Sequence, residues 1–454
     1  MQILEKISKS DIIGLYSFRS FTMDIQTLAQ TARQASIVLA ALTTEAKNKA
    51  LDAIRLALLS QSHRIIQANS ADLAEAQKNN LAAPLLKRLK FDQSKIDEVC
   101  KGLASLIGLE DPVGKTLSAT ELDKGLELYQ VSCPIGVIGV IFESRPDALV
   151  QISSLCLKSG NAVLLKGGSE AARTNKILAE IIADATVKAG IPAGWLGLME
   201  TRADVAAMLG LDEYIDLIIP RGSNAFVRHI MDNTRIPVMG HSDGICHVYI
   251  DKAADIDMAV KITVDSKCQY VAVCNAVETL LVHKDIAPTF LPKVKSALEA
   301  KNVELRGCEK TRQIINIKPA TEQDWKTEYL DYILSIRTVD TLEQAIEHIN
   351  TYGSRHTDTI VTNDKSAAAK FLSLIDSAGV FWNASTRFAD GFRYGLGAEV
   401  GISTQKLHAR GPVGLEGLVI YKWLLTGSGH VVADYSGTNA KSYTHRKLRK
   451  NWNF

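Results

Sequence analysis

Residues 271–283 read VAVCNAVETLLVH: a cysteine and an asparagine interrupt an apolar run just before the strand pattern AVETLLVH. A thiol at that point is either a small hydrophobe filling a gap or a nucleophile held where a loop meets a buried strand. Seven cysteines occur in the chain. Cys100, Cys133, Cys156 and Cys308 lie in helix or strand text, and Cys246 alternates within ICHVYI, so these five read as structural. Cys268 and Cys274 share one loop, and Cys274 stands at the mouth of the strand beside Asn275, where backbone amides can be held rigidly. Two further stretches have the chemistry of anion sites. LLKGGSEAARTN ends a strand at Lys166, allows close backbone approach at Gly167 and Gly168, and opens a helix at Ser169. IIPRGSNAFVRHI ends a strand at Pro220 and starts a helix at Gly222 and Ser223. Each aims free helix N-terminal amides at whatever lies above them, or is an ordinary βα turn with a serine cap. No GxGxxG follows a strand, so the usual dinucleotide fingerprint is absent.

The elements that must position these residues follow from periodicity. From Asp24 to about Leu109 the text is helical, with apolar residues three and four apart from Ile25 to Leu42 and a break at Pro84. After Pro112 the period changes. LELYQVSCPIGVIGVIF reads as strands, the second nearly continuous in apolar residues, as a parallel strand buried on both faces would be. NAVLLKGG, GWLGLM, YIDLIIP, IPVMG and CHVYI then alternate with helical text, and the alternation resumes beyond Cys274 through DTIVTND and GVFWNAS. Such βαβ units predict an α/β fold with two doubly wound parallel sheets. The expected division is an extension over 1–22, a first α/β domain over 23–266, a second α/β domain carrying Cys274 over 267–425, and a tail over 426–454.

Composition narrows the function. The 454 residues are 46% hydrophobic and 22% charged with net charge +2, which gives no electrostatic case for nucleic acid or a membrane surface. No apolar run approaches the ~18 residues a membrane helix needs. No CxxC or His/Cys metal spacing occurs. Free thiols without a signal peptide are expected of a cytoplasmic protein.

CPIGVIGVIFESRPDALVQISSLCLKSGNAVLLKGGSEAARTN resembles the aldehyde dehydrogenase superfamily, and within it the gamma-glutamyl phosphate reductases. GHSDGICHVYID, VCNAVETLLVH, EYLDYILSIRTVD, VDTLEQAIEHINTYGSRHTDTI, GVFWNASTRFADGFRYGLGAEVGIST and HARGPVGLEGLVIYKW follow in that family's order, so the similarity runs from about Asp24 to about Leu448. The resemblance implies that Cys274 is the nucleophile and that Lys166 hydrogen-bonds the adenosine ribose of NADPH, with Gly168 and Ser169 in the same turn. It places Gly222 and Ser223 under the pyrophosphate and Glu328 on the nicotinamide-side ribose. Gly167 and Gly168 stand where many NAD-dependent relatives carry an acidic group, leaving room for a 2′-phosphate. The glutamate base of hydrolytic relatives is missing from PVMGHSDGICH, and ESRP replaces the segment holding their oxyanion asparagine.

The expected reaction is therefore reduction of L-glutamyl 5-phosphate by NADPH, through a thioester on Cys274, to L-glutamate 5-semialdehyde. The rival is an NAD-dependent hydrolytic aldehyde dehydrogenase. Arg145 and Arg387 are candidates for the substrate's phosphate or carboxylate, as are His241 and Asn275, while Arg393, His408 and Arg410 lie in nearby loop text. A positive field is expected to lower the thiol pKa from its usual ~8.5 toward neutrality. Glu278 and His356 read as structural. LDKGLELYQVS (121–133 contributing to a ribbon) and TGSGHVVADYSGTN match the superfamily's oligomerisation element, implying a homo-oligomer, and the family implies transient contact with glutamate 5-kinase.

Overall fold

A computed structural model describes residues 24–452 apart from 144, 223, 241, 242 and 397. The expected extension over 1–22 lies outside the described residues, as do Ser223 and His241. Helices come first. In Ile25–Leu39 the carboxylate of Asp24 accepts from the Thr27 amide, capping the first turn, and Ala29, Ala32, Ala35 and Leu39 form the buried stripe. The expected helical run is realised as five helices ending at Gly108.

Seventeen strands follow among the described residues. β1 (Thr116–Asp123) and β2 (Leu126–Pro134) form an antiparallel hairpin. β3 (Val137–Ile141), β4 (Ala162–Lys166), β5 (Leu196–Leu198) and β6 (Leu217–Pro220) form a parallel sheet in the order β5-β4-β3-β6. Every residue of β3 and β4 is buried, which is why they read as uninterrupted apolar text. β7 (Cys246–Ile250), β8 (Val277–His283), β9 (Glu304–Gly307), β10 (Lys318–Pro319), β11 (Ile333–Val339), β12 (Thr357–Val361) and β13 (Gly379–Trp382) form a second parallel sheet, ordered β10-β9-β11-β8-β7-β12-β13. β14 (Gly401–Ser403) and β15 (Gly411–Val413) pair with each other. β16 (Val419–Thr426) and β17 (Arg446–Lys447) close the hairpin into a four-stranded sheet, β16-β2-β1-β17.

Three expectations need correction. The change of sheet falls between Met239 and Cys246, not at 266–267, because β7 pairs with β8 and β12. The segment IPVMG makes one isolated bridge, Ile218 to Val238, rather than a strand. Val400, Val413, Leu415 and Leu418 return to the core of the first sheet, and β16 joins the ribbon, so the second domain does not run unbroken to 425. Among the described residues no helix is long and apolar enough to cross a membrane.

The topology aims two sets of strand ends at each other. Ile141 is in register with Lys166 on one side and Pro220 on the other, so Phe142, Gly167 and Arg221 emerge side by side from the first sheet. The Phe142 amide donates to Lys166 O (2.9 Å) and the Arg221 amide to Ile141 O (2.7 Å), which fixes this rim. In the second sheet β8, β7 and β12 are neighbours, and Cys246 is in register with Val277. Residues just before these three strands, among them Cys274 and His356, therefore crowd one end.

Candidate active site

A cleft of about 620 Å³ opens between those ends, lined by Phe142, Arg145, Arg221, Gly222, Cys274, Asn275, Arg387 and Glu399 among others. Cys274 is half-buried on its wall. The loop that carries it leaves the helix Ile256–Cys268 and turns into β8. Gly244, just ahead of β7, presses on this turn: a Cβ there would collide with the Cys274 backbone, so only glycine allows the approach. Cys246 holds the loop from the other side, its thiol donating to Cys274 O at 3.2 Å.

His356 Nε2 lies 3.2 Å from Cys274 Sγ. The other ring nitrogen, Nδ1, is 2.9 Å from Thr357 Oγ1 and 3.7 Å from Cys246 Sγ. His356 is therefore not a distant structural histidine; the sheet order delivers it to the sulfur. Burial pushes the Cys274 thiol up to about 12, reinforced by the carboxylates of Glu328 and Glu399 and opposed by its own amide and by Arg221. The expected lowering toward neutrality is thus overturned. Desolvation and two carboxylates outweigh one guanidinium.

The candidates for anion contact divide. Arg145 is half-exposed on the cleft wall and pairs with Asp147 at 2.9 Å. Arg387 is buried, its Nε donating to Gln269 Oε1 at 2.9 Å, and its charge acts on Cys274. Asn275 is buried on the cleft wall, and its Nδ2 donates to Ala389 O at 2.8 Å, which anchors the loop. Arg393 grips Arg387 O at 2.7 Å, His408 Nε2 meets Gly417 O at 3.0 Å, and Arg410 pairs with Asp376, so these three serve the scaffold. Arg221 and Glu399 also line the cleft, and neither is a candidate on the sequence pattern alone. Burial lowers the pKa of the Arg221 guanidinium, as does nearby Arg145, and burial raises the carboxyl of Glu399, which accepts from the Gly391 amide at 2.8 Å. The one signal for Arg221 was its place beside Gly222 in the IIPRGS turn.

Lys166, Gly168 and Ser169 lie along the rim beyond the cleft lining. The Lys166 ammonium is buried against Gly167 O, and Gly167 is packed so closely that a Cβ would collide with Asn175 Nδ2. Glu328 acts electrostatically on both Cys274 and Glu278. Glu278 is itself tied to Lys267 at 2.6 Å, both side chains fully buried, and accepts from the Leu330 amide at 3.3 Å. That pair clamps the helix before Cys274, the strand after it and the loop holding Glu328.

A family model, Aldehyde dehydrogenase family, matches residues 22–322. Gamma-glutamyl phosphate reductase of Acetivibrio thermocellus is 67% identical over 428 residues, covering 94% of this chain and 99% of the relative. The enzyme of the same name from Pelotomaculum thermopropionicum is 65% identical over 430 residues, covering 95% and 99%. The chain belongs to the gamma-glutamyl phosphate reductases of the aldehyde dehydrogenase family. The crystal structure of the Thermotoga maritima gamma-glutamyl phosphate reductase superposes with a TM-score of 0.88 at 43% identity, over 90% of this chain and all of that one. The fold expectation, an aldehyde dehydrogenase-like α/β architecture, is met, and the chain is an oxidoreductase of this family.

Proposed function

We propose that the protein reduces L-glutamyl 5-phosphate to L-glutamate 5-semialdehyde and phosphate with NADPH, as a step toward proline, through a thioester on Cys274. The observation that carries this reading is the thiol itself: half-buried, at the mouth of β8, on the wall of a cleft that also presents Arg145, Arg221 and Arg387. Three guanidiniums suit a substrate with a phosphate and a carboxylate. Glu399 on the same wall suits the α-ammonium. The sulfur attacks the acyl carbon, phosphate leaves without any water molecule being activated, and the Cys274 amide supports the oxyanion. The rival hydrolytic reaction needs no phosphate. Oxidation of the semialdehyde that requires both NADP and phosphate therefore supports this reading, and phosphate-independent formation of glutamate contradicts it.

The rim fits a dinucleotide. Lys166 caps β4, the glycine after it leaves no space for a side chain, and Gly222 opens the turn after β6, so backbone can come close to a pyrophosphate. When bound, the reduced nicotinamide would supply a hydride to the thioester carbon. Lys166 would hold the adenosine ribose, Gly168, Ser169, Gly222 and Ser223 the phosphates, and Glu328 the nicotinamide-side ribose. Glu170 complicates the preference for a 2′-phosphate: its carboxylate occupies the space where a Gly168 side chain would begin and acts on Lys166. We expect Glu170→Gln to lower the KM for NADPH by roughly 3- to 10-fold with little change for NADH, because like charges oppose each other there; unchanged KM values for both would remove the 2′-phosphate from this position.

Arg221 is the strongest candidate for the substrate anion. Loss of a charge-assisted contact predicts that Arg221→Met raises the KM for phosphate in the reverse assay by roughly 10- to 100-fold. Equal KM values in the two proteins would place phosphate elsewhere. A cytoplasmic homo-oligomer is the expected state. β16 is an edge strand with Ile420, Tyr421, Trp423 and Leu425 exposed, a surface that a second copy would cover. A labile acyl phosphate also favours transient contact with glutamate 5-kinase.

A further inference from the structure

We infer that His356 is a catalytic residue, the group that removes the proton from Cys274 Sγ as the sulfur attacks and returns it to the departing phosphate. The inference rests on the thioester reading above and extends it to the proton. The geometry is direct: Nε2 stands 3.2 Å from Sγ, within reach for transfer. Thr357 Oγ1 at 2.9 Å fixes the other nitrogen. With Nδ1 donating to Thr357, Nε2 carries the lone pair that accepts the S–H proton. The imidazole is 1% exposed, so its rotation is confined.

Chemical need points the same way. The cleft holds the resting thiol in its neutral form through burial and the nearby carboxylates Glu328 and Glu399, with Arg221 the opposing charge. A neutral thiol is a weak nucleophile, so a base must act during attack. Among the described residues, Cys274 from the loop before β8, Cys246 from β7 and Thr357 from its own strand face the imidazole. Burial raises the Cys246 thiol well above its ordinary value and keeps it protonated, so it competes as neither base nor nucleophile. The step balances. Sγ–H gives its proton to Nε2 and its electron pair forms the S–C bond. The C–O bond to phosphate then breaks with its pair on oxygen, and that oxygen takes the proton from the imidazolium.

The test begins without substrate. Alkylation of Cys274 by iodoacetamide is followed by peptide mass spectrometry from pH 5.5 to 9 in wild type, His356→Gln and His356→Ala, with phosphate-dependent turnover measured in parallel. General-base assistance predicts that turnover falls by about 10²- to 10⁴-fold in both variants. It further predicts that Cys274 alkylation at neutral pH slows, that its acid limb disappears, and that added imidazole partly restores His356→Ala. Folded variants with wild-type pH profiles and turnover overturn the inference. Should both variants unfold, Thr357→Val is read instead: about a 5-fold loss is expected from the lost alignment of Nδ1, and no loss overturns it. A wild-type enzyme showing the alkylation profile but no phosphate-dependent turnover would sink the substrate reading and leave the Cys–His couple standing.

Discussion

Cys274→Ala is expected to lower phosphate-dependent oxidation of glutamate 5-semialdehyde by more than about 10⁴-fold, the scale on which enzymes lose activity when the covalent nucleophile is removed. The fold should survive. Cys274 is only half-buried, and the contacts that shape its loop are made by backbone and neighbours: Cys246 to Cys274 O, Asn275 to Ala389 O, and Thr386 Oγ1 to Asn275 O at 2.7 Å. None requires the sulfur of Cys274. Cofactor affinity, measured by fluorescence titration, should remain within about 3-fold, because uniform binding of a ligand is separable from a contact made in the transition state. Retained turnover would move the nucleophile elsewhere. Cys268, at the end of the preceding helix and held protonated by burial, would be the next candidate.

Lys267→Met is expected to carry the largest stability cost, about 3–5 kcal/mol, because it leaves a carboxylate buried without its partner. Both members of the pair are fully buried. Burial already holds the Glu278 carboxyl up near 7, with Lys267 pulling the other way. The sign of the pH dependence follows. A carboxyl whose folded pKa lies above its unfolded value binds more protons in the native state, so stability falls as pH rises from about 4.5 through the folded value. Without Lys267 that folded value climbs further. Lys267→Met should therefore lose least near pH 5 and progressively more toward pH 8, as read by urea unfolding at each pH. A cost independent of pH would mean that packing of the long aliphatic stem matters more than the pairing of its ammonium with Glu278. Activity should fall with stability here, since the same pair orders the loops of Cys274 and Glu328.

Much of the fold was legible because parallel strands covered on both faces leave continuous apolar text, as in β3 and β4. The point at which one sheet gives way to the next was not. β7 has the same texture as β3, and nothing in CHVYI says which sheet it joins; the pairing with β8 and β12 decides that. Cys274 stood out through its place before a strand. His356 did not, because 82 residues separate it from the sulfur and only the order β8-β7-β12 makes them neighbours. The thiol's acidity was misjudged for a related reason. Burial cannot be seen in a short motif, and Glu328 and Glu399 come from segments far along the chain.

In the proposed mechanism an acyl group passes through Cys274 without meeting water. Incubating the enzyme with glutamate 5-semialdehyde and NADP in phosphate-free buffer, quenching in acid and mapping peptides by mass spectrometry tests it most directly. A glutamyl thioester should accumulate on the peptide carrying Cys274 and vanish when phosphate is added before the quench. Free glutamate appearing at the rate of NADP reduction, with that peptide unmodified, would contradict the account.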